Sequence, residues 1–117
     1  MSDFKEAYIS AGYDYEALAE RTCGDSELIN QLMQMFLADD SWEKMTLSMQ
    51  NGDIESAFRA AHSFKGSSGM LGFTSLFERM KVLTDKLRYG DLEGAKSVFD
   101  VTLKEYEAAV KLVSEYM

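Results

Sequence analysis

Three Gly-Asp pairs, Gly24-Asp25, Gly52-Asp53 and Gly90-Asp91, punctuate this chain, and no proline interrupts it. Glycine readily adopts the left-handed conformation that ends a helix. An Asp directly after it can accept hydrogen bonds from the exposed N–H groups of the next first turn. Each pair therefore reads as a tight joint between two helices. Between the joints, apolar residues recur by threes and fours, the spacing of amphipathic helices. Phe4, Ala7, Tyr8 and Ala11 mark a short N-terminal helix, and a shorter one can follow Asp14 over Tyr15–Arg21. A long helix runs from Ser26 to about Asn51, with a slip at Asp39-Asp40-Ser41 that leaves room for a kink or a break. The next spans Ile54–Leu71 and ends at Gly72. Ser75 and Glu78 form a capping-box pattern for the helix carrying Leu76, Met80, Leu83 and Leu87. The last helix holds Leu92, Ala95, Phe99, Leu103, Tyr106, Val110 and Val113.

Four long helices with short joints favour antiparallel neighbours. The expected fold is all-α: an antiparallel up-down four-helix bundle, with the short N-terminal helices covering one end. Composition agrees, since Val and Ile total 8 against 12 Leu, 11 Ala and 8 Met. Straight-chain and small residues favour helix, whereas a sheet wants β-branched ones. The 117 residues fit one domain, taken as residues 1–117.

Charge and cysteine usage exclude several functions. A net charge of −8 with no basic stripe argues against nucleic acid and against anionic membranes. No apolar run approaches a membrane span, and the N-terminus lacks the pattern of a signal peptide, so a cytoplasmic location is expected. The single cysteine, Cys23, allows no internal disulfide. One Cys and one His cannot make a four-ligand zinc site.

The informative stretch is Arg59-Ala-Ala-His62-Ser-Phe-Lys65-Gly66-Ser-Ser-Gly69-Met-Leu-Gly72. At about 100° per residue with His62 at zero, Ala57, Ala60, Ala61, Phe64, Ser68 and Leu71 cluster between about 160° and 260°. That arc faces the bundle interior, and His62 faces water. Lys65 falls at about 300°, Gly66 at about 40°, Gly69 at about 340°, Phe58 at about 320° and Arg59 at about 60°. A cation thus sits one turn from the imidazole, and two positions without side chains flank it. A glycine inside a helix costs about 1 kcal/mol relative to Ala. The simplest account is steric clearance at Gly66 and Gly69 for something that must approach the ring closely. A neutral imidazole nitrogen can attack phosphorus, and Lys65 would balance the phosphoryl charge. Phe58 and Arg59 are candidates for a docking face, although Phe58 could equally tuck under the N-terminal helix.

The stretch resembles the histidine-containing phosphotransfer domains of bacterial and fungal phosphorelays. Their signature is His, a small or polar residue, an apolar residue, Lys, Gly, two small residues and a later Gly. Here it reads His62-Ser63-Phe64-Lys65-Gly66-Ser67-Ser68 with Gly72 following Leu71. Phe64 stands where Leu is commoner, and Gly69 is a less usual choice. The resemblance implies a phosphoryl carrier. His62 would take the group from a receiver-domain aspartate and give it to another. The implied partners are response-regulator receiver domains and a hybrid sensor histidine kinase. The receiver would bring Mg²⁺ and most of the catalytic machinery, so this chain needs no cofactor or metal and is no self-contained enzyme. It looks like a free-diffusing shuttle, expected to be monomeric because no spare apolar stripe is apparent.

Blander readings stand beside these. Ser67 and Ser68 read as small residues that let helices pack closely. The methionines read as core filler, and Cys23 as a buried or half-buried thiol. Gly66-x-x-Gly69-x-x-Gly72 is no nucleotide loop, because no strand precedes it. A Ser–His hydrolase lacks an acid to orient the imidazole. The functional alternative is an acidic helical adapter that docks on signalling partners without carrying phosphate.

Overall fold

The computed structural model describes residues 2–117. Among them it has eight helices and no strand: α1 (Ser2–Ser10), α2 (Tyr15–Thr22), α3 (Ser26–Ala38), α4 (Ser41–Gln50), α5 (Ile54–Met70), α6 (Thr74–Arg88), α7 (Leu92–Ser97) and α8 (Phe99–Tyr116).

The Gly-Asp joints behave as their chemistry requires. Gly24, Gly52 and Gly90 have φ of 67°, 72° and 74°. Asp25 accepts from the Glu27 and Leu28 N–H groups, Asp53 from Ser56 and Asp91 from Gly94. Hydrogen bonds to Ser56 also hold the Asp53 carboxyl below its ordinary pKa. Such caps satisfy N–H groups that have no partner inside the helix.

The bundle is built from α3–α4, α5, α6 and α8. Helix α5 packs between α4 and α6, α6 packs on α8, and α8 returns to α3. Trp42 of α4 stacks on Tyr106 of α8 with centroids 4.3 Å apart and rings 6° from parallel, which closes the circle. Phe64 of α5 sits at the centre, 5.9 Å from Phe36, 5.7 Å from Trp42 and 5.5 Å from Tyr106. Complete burial of one such ring is worth about 1.5–3 kcal/mol.

The short N-terminal helices cover one end, where α5 turns into α6. Phe4, Tyr8, Tyr13 and Leu18 are buried there. The Tyr8 ring meets Phe4, Tyr13, Tyr15 and Phe73, and its hydroxyl donates to the Leu71 carbonyl. Burial, then the Asp14 charge, pushes the Tyr8 phenol far above its ordinary pKa.

The slip at Asp39-Asp40-Ser41 is a break, one of the two outcomes the pattern left open: Asp39 is extended (φ −69°, ψ 123°), and its carboxylate accepts from both the N–H and the hydroxyl of Ser41, at 2.9 and 2.7 Å. Asp39 thereby caps α4 across the break. Four expectations need correction. The last helix is interrupted: α7 ends at Val98, where the Ser97 hydroxyl donates to the Gly94 carbonyl at 2.7 Å. Such local bonds compete with the helix ladder. No capping box forms at α6. The helix starts at Thr74, so Ser75 already lies in its first turn, and the Ser75 hydroxyl donates to Glu105 of α8 at 2.8 Å. Cys23 is exposed, because it takes the left-handed cap of α2 with φ 54°. The methionines divide. Met33, Met45, Met49 and Met80 fill the core, whereas Met35 and Met70 are exposed.

Candidate functional site

Helix α5 positions the site. Its inner face buries Ala57, Ala61, Phe64 and Ser68. Small residues at three of these positions let α4 and α6 approach closely on either side. The Ser68 hydroxyl bonds its own helix, donating to the Phe64 carbonyl at 2.8 Å. With that arc fixed inside, helical geometry turns His62 to the opposite side, and His62 is exposed.

The surroundings of the imidazole are specific. Phe58, one turn before it, stacks on the ring with centroids 5.9 Å apart and planes 29° from parallel. Phe58 is half-buried and packs against the core edge. The Arg88 guanidinium of α6 lies 5.5 Å from the Phe58 centroid. Lys65, one turn after His62, is half-buried, and among the described residues neither Lys65 nor Arg88 forms an ion pair. Arg59 does: it pairs with Glu55 on the same helix.

The two glycines differ. Among the described residues, nothing beyond its own turn of helix lies within 4 Å of the place a Cβ would take at Gly66, so the backbone there is open. At Gly69 that place is occupied, because Phe77 Cδ1 of α6 would stand 2.8 Å away. The expected clearance at Gly69 is therefore filled by a neighbouring helix, and its missing side chain serves packing. Phe77 over Gly69 and Arg88 over Phe58 set the antiparallel register of α5 and α6. That register brings the exposed Lys81 level with Lys65.

Sequence reading missed three cations of this region: Lys81, Arg88 and Arg21. The Arg21 guanidinium of α2 donates to the Gly69 and Met70 carbonyls at 3.0 and 2.8 Å, closing the end of α5. Beside it a groove of about 440 Å³ opens, lined in part by Ala17, Arg21, Gly66 and Thr74. A signal existed for part of this. Residues 54–90 carry six Lys or Arg against three Asp or Glu, whereas the rest of the chain carries six against seventeen. Among the eight helices only α5, which bears His62, and α6 beside it are net positive. No group of three His, Cys, Asp or Glu that could hold a metal gathers among the described residues. Among the described residues no helix is long and apolar enough to cross a membrane.

His62 thus stands on the solvent-facing flank of a helical bundle. The family model described as the Hpt domain matches residues 27–113, and the chain belongs to that family. Its structure is similar to the crystal structure of histidine-containing phosphotransfer protein B (HptB) from Pseudomonas aeruginosa PAO1, with a TM-score of 0.79. The two are 24% identical, and the match covers 89% of this chain and 92% of that one. At that identity the likeness establishes a shared fold. No curated protein matches the chain significantly. Family membership makes the chain a histidine phosphotransfer component of phosphorelay signalling.

Proposed function

We propose that His62 is the phosphoryl acceptor, taking the group from the aspartyl phosphate of a receiver domain and passing it to the aspartate of another. In the forward step an imidazole nitrogen lone pair attacks phosphorus, an N–P bond forms and the P–O bond to the aspartate breaks. The receiver recovers its carboxylate. The reverse step delivers the group to the second receiver. The single observation that carries this reading is the exposed His62 one turn from a Gly66 whose open side nothing fills.

Lys65 lies where its ammonium can balance phosphoryl charge as it arrives and leaves. Its lack of a carboxylate partner among the described residues leaves that charge available. Mg²⁺ belongs to the receiver, and the carrier contributes a nucleophile and a docking face. It completes no reaction alone. The basic α5–α6 face on an otherwise acidic chain suits a partner with an acidic rim around its phosphoryl group. A monomeric cytoplasmic shuttle fits this role.

Incubation with a phosphorylated receiver domain tests the reading. The protein is expected to acquire an acid-labile, base-stable phosphate that His62→Gln abolishes. Label that persists in His62→Gln contradicts it. An adapter without phosphate would instead bind its partner equally well in both forms and never carry label.

A further inference from the structure

We propose that Phe58 is a positioning residue that holds the His62 imidazole in one orientation, and that Arg88 secures Phe58 from the neighbouring helix. The proposal rests on His62 being the phosphoryl acceptor.

An exposed histidine ordinarily samples several side-chain rotamers. Attack on phosphorus needs the nitrogen lone pair aimed along the line to the leaving oxygen, so a freely turning ring is seldom aligned. On one flank of His62 the backbone at Gly66 is bare and offers nothing to pack against. Phe58 supplies the missing wall. Its ring stacks on the imidazole at 5.9 Å and 29°, within the range of aromatic pairs. Phe58 is itself held, since its ring is half-buried against the core and the Arg88 guanidinium lies 5.5 Å from its centroid, a cation–π distance. Arg88 is exposed and makes no ion pair among the described residues, and its guanidinium rests on the aromatic face of Phe58. The chain of contacts runs from α6 through Phe58 to the reactive ring. Packing of α5 on α6 thereby sets the direction in which the nucleophile points, while the Gly66 side stays open for the donor.

The test joins two readouts. In the unphosphorylated protein, three-bond couplings of the His62 side chain measured by NMR are expected to report one dominant rotamer, and the imidazole protons are expected to show the ring-current displacement of a stacked neighbour. In Phe58→Leu the couplings become averaged and the displacement disappears. The transfer rate at saturating phosphorylated receiver falls about tenfold, while the receiver concentration for half-maximal rate stays unchanged. Phe58→Tyr restores both, and Arg88→Gln gives a smaller change of about two- to threefold. Unaltered couplings with an unaltered saturating rate in Phe58→Leu overturn the proposal. So does an effect confined to the half-saturating concentration, which would make Phe58 a docking residue. If Phe58→Leu loses its helical circular dichroism, Arg88→Gln at its exposed position carries the same test, and wild-type values for both readouts there overturn the proposal. A wild-type protein that is never labelled yet shows a single His62 rotamer would refute the acceptor reading and leave the orientation standing.

Discussion

Gly66 and Gly69 lie one turn apart on the same helix and meet opposite surroundings. The turn from His62 to Gly66 is open: the imidazole is in water, and the Gly66 backbone has empty space over it. The turn from Gly69 to Gly72 is closed. Phe77 covers Gly69, Arg21 holds the Gly69 and Met70 carbonyls, and Tyr8 reaches the Leu71 carbonyl. The same residue type thus does two jobs, leaving room for a visitor in one turn and for neighbouring helices in the next. The rigid closed end holds α5 in place so that the open turn can be presented to a partner.

The largest break in that contrast is expected at Gly72. Its φ is +75°, and a Cβ there would stand 2.1 Å from the Tyr8 hydroxyl and 2.8 Å from the Asp14 carbonyl. Left-handed strain and overpacking each cost about 1–3 kcal/mol, so Gly72→Ala should lose about 3 kcal/mol or more in urea denaturation. A loss below about 1 kcal/mol would mean that the end is not rigid.

The next effect is alkaline. The Tyr8 phenol is raised by burial, as are Tyr13 and Tyr106. An acid whose folded pKa lies above its unfolded value stabilises the fold fully below the unfolded value, and loses that contribution as pH rises. Denaturation midpoints should therefore hold up to about pH 10 and fall above it, the ordinary tyrosine value marking the onset. Tyr8→Phe should lower stability at neutral pH by about 1–2 kcal/mol, because the buried Leu71 carbonyl loses its donor, and should shallow the alkaline fall. An equally steep fall in Tyr8→Phe would shift the cause to the other tyrosines.

How much of this was legible in the sequence depends on whether the cause is local. The inner arc of α5 and the Asp caps follow from residues three or four apart, so Phe64 inside, His62 outside and the Gly-Asp joints could be read directly. Lys65 and Gly66 stand out by spacing from His62. What depends on which helix lies alongside could not be read. Phe77 over Gly69, Ser75 bonded to Glu105 and Arg88 over Phe58 join positions 8, 30 and 30 residues apart. The break at Val98 leaves no mark in the pattern, because the apolar spacing continues through it. The exposure of Cys23 is not legible either, because its role is conformational, ending α2 in a left-handed turn.

Smaller effects sharpen the comparison of the two glycines. Gly69→Ala gains about 1 kcal/mol of helix propensity and loses a similar amount by displacing Phe77, so its net effect should stay within about 1 kcal/mol. Shortening the neighbour should release the gain. Gly69→Ala in a Phe77→Leu background is then expected to be stabilising, and a destabilising change there would show that Phe77 is not the obstacle. Gly66→Ala, with nothing to displace, should raise stability by up to about 1 kcal/mol. A clear loss would mean the open side is occupied in solution.

The most direct measurement is the rate at which a phosphorylated receiver labels His62 in Gly66→Leu, compared with wild type at equal thermal stability. The expected result is transfer slowed about tenfold or more, because the leucine fills the space the donor must enter. Transfer at the wild-type rate would mean that the bare backbone beside His62 admits nothing, and would contradict the account.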